Sequence, residues 1–192
     1  FCVARRIAEV VLNQSLERIA QEVLFHPLGL SRTTYLPSKE IRTTVPTAYS
    51  RQSGGVLERQ PSRTGGDLRF ILPGGSLFTT LDELAAFGVM HLENGMCHDK
   101  QVLSRESIDE MRTLQSPDRV ARSYGLGWFR DDINDQGFAG RVFHGGAMGA
   151  YLVVDWKRDL VAVFLIHQPG GEVAGLKNKL SQHVGKLFAP SK

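Results

Sequence analysis

The run Val142-Phe143-His144-Gly145-Gly146-Ala147 concentrates more chemistry than any other segment of this 192-residue chain. If residues 141–147 are extended, His144 and Gly146 share a face, because side chains alternate along a strand. One position offers a titratable ring, and the next on that face offers no side chain at all. Glycine weakens a strand unless something must approach its main chain, so Gly145-Gly146 marks either a bulge or a surface against which a ligand lies. An imidazole at the mouth of such a stretch could donate a hydrogen bond or pass a proton near neutral pH. The backbone N–H of Ala147 could serve as one donor to an oxyanion. The same residues also describe a tight bend with a surface histidine, and taken alone they leave both readings open.

Other candidates carry less. Ser76 follows Gly75, but a nucleophile elbow needs glycine two residues later, where Phe78 stands; Gly74-Gly75-Ser76 reads instead as a turn lining the cleft floor. His26, His91, His98, His167 and His183 show no metal-ligand spacing, so no metal and no cofactor are expected. Cys97-His98 beside Asp99 reads as a solvated turn, and Cys2 with Cys97 forms no disulfide framework. Tyr124-Gly-Leu-Gly127 lacks the third glycine of a dinucleotide fingerprint. With 23 Lys and Arg against 20 Asp and Glu, a net charge of +3 leaves no footprint for nucleic acid. The longest apolar stretch, Leu160 to Ile166, is far short of the ~20 residues that a membrane-spanning helix needs.

These residues must be positioned by a fold whose order is helix, connection, helices, strands, helix. Val3, Ile7, Val10, Val11, Ile19, Val23 and Leu24 follow a helical repeat and predict an opening helix over 3–24, interrupted near Asn13 and ended by His26-Pro27-Leu28-Gly29. Residues 31–72 read as a long, mostly irregular connection, with Tyr49 to Ser53 in a loop. Thr80 and Glu83 have capping-box spacing for a helix over 81–93 that buries Leu81, Leu84, Ala85, Gly88 and Leu92. Ser104 caps a second helix, over 105–114. Strands are expected over 124–129, 141–147, 150–156 and 160–167, the last a central one covered on both faces. A closing helix over 172–188 turns Val173, Leu176, Leu180, Val184 and Leu187 inward, with Lys177, Lys179, Lys186 and Lys192 on its wet side. The fold class is α+β, one antiparallel sheet sandwiched between helices. Phe1 opens the chain with the helical pattern already running by Val3, so a start inside a longer protein is expected.

His144-Gly-Gly, a following glycine, and a hairpin with Asp155 and Arg158-Asp-Leu160 resemble the closing part of the serine β-lactamase-like superfamily. That group holds class C β-lactamases, low-molecular-weight penicillin-binding proteins (D-alanyl-D-alanine carboxypeptidases) and related esterases. Matches precede it in order: Phe25-His-Pro27-Leu28-Gly29-Leu30, Pro73-Gly74-Gly75-Ser76-Leu-Phe-Thr79-Thr80 with Asp82-Glu-Leu84, and Tyr124-Gly125-Leu-Gly127-Trp128. The resemblance implies a β-lactamase/transpeptidase-like domain, incomplete at its N-terminus. Family members transfer acyl groups through a Ser-x-x-Lys serine, assisted by Tyr-x-Asn and a strand-borne Lys-Thr-Gly or His-x-Gly motif.

Of these only the third motif is present here, as His144-Gly145-Gly146; no lysine follows a serine by three, and no asparagine follows a tyrosine by two. The resemblance therefore places nucleophile, lysine and tyrosine upstream, so that this chain alone is inactive. It implies His144 as a catalytic group, Gly145 and Gly146 as substrate-binding main chain, and Ala147 N–H as an oxyanion donor. The substrate is then a small molecule or peptide with an ester or amide bond. Histidine is shorter than lysine and only partly charged near neutrality, so an esterase or peptidase is implied as readily as antibiotic hydrolysis. Periplasmic or secreted location is implied, as is an upstream strand that completes the sheet and without which Leu160 to Ile166 is an unpaired edge. The alternative is a non-catalytic relative that binds a peptide or partner protein.

Overall fold

Asn13 breaks the opening helix. The computed structural model describes residues 1–61, 71–116, 123–169 and 171–188. In it α1 covers Cys2–Leu12, and Asn13 closes it in the left-handed region at φ 49°, a conformation asparagine tolerates. Ser15 accepts from Arg18 N–H and caps α2, Leu16–Ala20, which runs on as a π-helical turn over Gln21–Phe25. Val3, Ile7, Val10 and Val11, expected to face a core, are exposed. The first core cluster instead draws on Phe25, Leu28 and Leu30, packed with Met90 and Ile108.

The connection that follows is more regular than its composition suggests. Ser38 accepts from Ile41 N–H and starts a short helix, α3, Lys39–Thr44. Tyr49 to Ser53 is not loop throughout: β1 (Tyr49–Arg51) pairs antiparallel with β2 (Leu57–Arg59). Two carboxylates clamp the start of this stretch. Glu17 accepts from Thr34 Oγ1 and Tyr35 N–H, each at 2.7 Å, and Glu83 accepts from Arg32 N–H at 2.8 Å and Thr33 Oγ1 at 2.6 Å. Residues 62–70 of the expected connection lie outside the described residues.

Thr80 Oγ1 accepts from Glu83 N–H and caps α4, Leu81–Leu92. The reciprocal half of the capping box is absent among the described residues, because the Glu83 carboxylate is taken by donors of residues 31, 32 and 33. The buried face agrees with expectation at Gly88 but not elsewhere: Met90 and His91 are buried as well, while Leu81 is half exposed. A Cβ on Gly88 would lie 2.6 Å from Val161 Cγ1 and 3.1 Å from Leu152 Cδ1, so this glycine sets how closely α4 approaches the sheet. Gly88→Ala is expected to cost about 1–3 kcal/mol by overpacking, read as a lowered denaturation midpoint with an unchanged m-value.

Beyond Asn94-Gly95, β3 (Met96–Cys97) and β4 (Lys100–Gln101) form a tight hairpin. Its two central residues, His98 and Asp99, both have positive φ. Ser104 caps α5, Arg105–Met111, which ends before the predicted Leu114.

The sheet has four antiparallel strands in the order β5 (Phe129–Ile133), β6 (Ala139–Gly145), β7 (Tyr151–Asp155) and β8 (Leu160–Phe164). The first strand expected, over 124–129, is reduced to one bridge between Tyr124 and Phe129, and β5 starts where it was to end. Arg130 anchors β5 by donating to Arg112 O at 2.8 Å and Ser123 Oγ at 2.9 Å. β8 is not central: among the described residues it is an edge strand with half-buried side chains.

Val142, Leu152 and Val154 pack with Trp128 and with Leu84, Phe87 and Val161 on the α4 side. Full burial of each such side chain is worth about 1.5–3 kcal/mol. The other face is covered by α6, Gly171–Leu187, where Arg141 Nη2 donates to Ser181 Oγ. Val173 is buried there, but Leu176 and Leu187 of the expected stripe are exposed. The architecture is α+β, a sheet between helices, as the element order predicts.

Candidate active site

β6 and β7 form a hairpin in which Gly145 lies opposite Tyr151. The expected strand over 141–147 ends at Gly145, because Gly146 to Gly149 turn back into β7. Gly146 N–H donates to Ala150 O at 2.8 Å, and its carbonyl accepts from Gly149 N–H at 3.1 Å. Gly149 has φ +106°, where glycine is favoured. On its other side β6 loses its partner after Phe143, which pairs with Phe129. Ala147 thus stands in a turn rather than a strand, exposed, and among the described residues nothing accepts from its N–H.

His144 also reaches solvent. Its ring stacks on Phe129, with centroids 5.3 Å apart at 22°, and meets Tyr124 edge-on at 6.0 Å. This partial desolvation is the largest influence on the imidazole and pushes its pKa down. The Lys177 ammonium pushes the same way, a hydrogen bond with the Gly145 main chain opposes both, and the net shift is downward. Neutral imidazole is therefore favoured at lower pH than usual. On the α4 side of the ribbon lies a cavity of about 490 Å³, walled by His144, Gly146, Phe87, His91, Trp128 and Leu152 among others. His91 is buried, bonded through Nδ1 to Phe87 O at 3.0 Å and edge-on to Trp128.

Of the four residues singled out in the sequence, His144, Gly145 and Gly146 line this cavity, and Ala147 follows them in the exposed turn. Ser76 does not join them: its Oγ accepts from Leu72 N–H inside its own turn, so the cleft-floor placement is corrected. Lys177 does join them, contrary to its assignment to the wet side of the last helix. Its Nζ donates to Gly146 O at 3.3 Å and stands 5.9 Å from the Tyr151 ring centre. No local pattern marks it, because the contact spans 31 positions. Tyr124 lay within the quoted Tyr-Gly-Leu-Gly-Trp run, yet its ring contact with His144 has no sequence signature. Lys192 lies outside the described residues. Among those described, no group of His, Cys, Asp and Glu is arranged to hold a metal ion, and no helix is long and apolar enough to cross a membrane.

An antiparallel sheet sandwiched between helices is the class of structure the resemblance implied. A beta-lactamase family model matches residues 1–185, and the chain belongs to that family. It is 28% identical over 176 residues to penicillin-binding protein 4 of Amycolatopsis lactamdurans, covering 86% of this chain and 45% of that protein. Its fold is similar to simvastatin synthase (LovD) of Aspergillus terreus, with TM-score 0.81 and 17% identity, over 98% of this chain and 54% of that one. It is also similar to an octameric penicillin-binding protein homologue from Pyrococcus abyssi, with TM-score 0.67 and 23% identity, over 93% and 40% of the two chains. The chain thus spans about half the length of the relatives it matches.

Proposed function

We propose that this chain is the C-terminal part of a serine hydrolase that acylates and deacylates a serine carried upstream of Phe1. The observation that supports this most is the open ribbon: the Ala147 N–H has no acceptor among the described residues, beside an imidazole that faces both solvent and the cavity. In this reading the Ala147 N–H is one of two donors that meet the oxyanion of the tetrahedral intermediate. His144, neutral at working pH, accepts and returns a proton within the nucleophile's hydrogen-bond network. The side-chain-free edge of Gly145 and Gly146 lets the acyl chain of an ester or amide lie along the main chain. The upstream segment that brings the nucleophile also covers the exposed apolar side of α1 and pairs with the free edge of β8.

Labelling the full-length protein with a fluorescent acyl-serine probe tests this. One modified serine is expected, upstream of Phe1, with the 192-residue chain alone unlabelled. A native full-length protein that stays unlabelled at every serine, or whose upstream sequence lacks Ser-x-x-Lys, instead supports a non-catalytic relative that binds peptides or a partner.

A further inference from the structure

We infer that Lys177 is a positioning residue of this site: from α6 its ammonium holds the Gly146 carbonyl at the unpaired end of β6 and so fixes the turn that presents Ala147 N–H. The inference rests on the acyl-transfer reading above. Three observations converge on it. The Gly146 carbonyl takes two donors, Gly149 N–H at 3.1 Å and Lys177 Nζ at 3.3 Å, so both of its lone pairs are occupied. A Cβ placed on Gly145 would stand 3.3 Å from Lys177 Nζ and 3.6 Å from Tyr151 Cδ2; the bare position is where the lysine crosses the sheet. No carboxylate among the described residues forms an ion pair with Lys177, which leaves its charge directed at the ribbon.

The ribbon needs such a tie. Beyond Phe143, β6 is paired on one side only, and a donor meant for a developing oxyanion works only if its position is fixed before the reaction. The same ammonium acts on His144. Among the described residues the other titratable groups about that ring are Tyr124 beside it and His91 across the cavity. Burial pushes Tyr124 up and His91 down, so both are neutral near pH 7, and Lys177 is the charged neighbour that disfavours imidazolium.

The test uses the full-length protein with Lys177→Met and Lys177→Arg. Lys177→Met is expected to lower kcat about tenfold with KM changed less than about twofold, as a misplaced catalytic donor does. Removing the positive charge should also raise the His144 titration midpoint, followed by NMR of the ring protons, and carry the acid limb of the kcat profile with it. Lys177→Arg, which keeps charge and reach, should restore both. An active protein whose Lys177→Met variant keeps kcat and the His144 midpoint overturns the role of Lys177 alone. So does a fall in kcat with an unmoved midpoint that arginine does not rescue, since that marks ordinary structural damage. A wild-type protein that neither turns over esters nor takes the acyl probe overturns the acyl-transfer reading itself, and the positioning role falls with it.

Discussion

Replacing His144 with alanine in the full-length protein should lower kcat/KM for an activated ester by about 10²–10⁴-fold, the range that a positioned proton-transfer group supplies. The thermal midpoint should barely move, because the ring reaches solvent and the strand backbone around it is bonded independently of the side chain. The wild-type pH profile is tied to the same group. Stacking on Phe129 and the nearby Lys177 charge favour neutral imidazole. If neutral imidazole is the working form, activity falls as pH drops through the folded-state pKa, and that limb lies below the ordinary imidazole midpoint of about 6.5. Steady-state kinetics across pH check both parts. A His144→Ala variant within about fivefold of wild type would show that this histidine merely decorates a bend, far short of what proton transfer contributes.

Gly149→Ala should damage fold and site together. Gly149 has φ +106°, and a Cβ there would overlap Ile166 Cγ2 while lying 3.0 Å from Ile166 O and 3.2 Å from Gln168 O. Backbone strain of about 1–3 kcal/mol and a similar overpacking term add to about 2–6 kcal/mol. Because Gly149 N–H donates to the Gly146 carbonyl, the strain enters the turn that carries Ala147. On the acyl-transfer proposal, turnover of an activated ester by the full-length protein should therefore be lost even at temperatures where the variant remains folded. Gly146→Ala is the contrast: its new Cβ would meet only Ala150, whose Cβ lies 3.2 Å away, and a milder loss is expected. Denaturant titration paired with single-temperature kinetics separates the two variants. Equal stability of Gly149→Ala and wild type would mean that the turn does not have this shape.

Sequence pattern located the elements whose causes are local. Thr80, Ser104 and the glycine after Asn94 mark helix ends through hydrogen bonds and dihedral preferences that act within four residues. The hairpin over 155–159 and the His-Gly-Gly ribbon were legible for the same reason, since alternation and glycine content are properties of adjacent positions. Ser38 is an equally local signal for α3, masked by the threonine-rich composition around it.

Pairing and facing were decided elsewhere. An all-apolar run such as Leu160 to Phe164 satisfies a central strand and an exposed edge equally well, and among the described residues the strand order places it at an edge. Likewise Val3, Ile7, Val10 and Val11 announce a buried helical stripe, yet which surface covers that stripe is not written in the stripe itself. The Glu83 carboxylate left its capping box for donors 50 and 51 positions away. By itself the sequence determined the Thr80 and Ser104 caps, the hairpin over 155–159, the α+β class and the His144-Gly-Gly run, because each follows from short-range sterics and hydrogen bonding. The tertiary structure alone decided that α4 leans on the sheet through Gly88 and that Lys177 reaches Gly146. Those depend on which distant surfaces meet, and residue spacing carries no record of that.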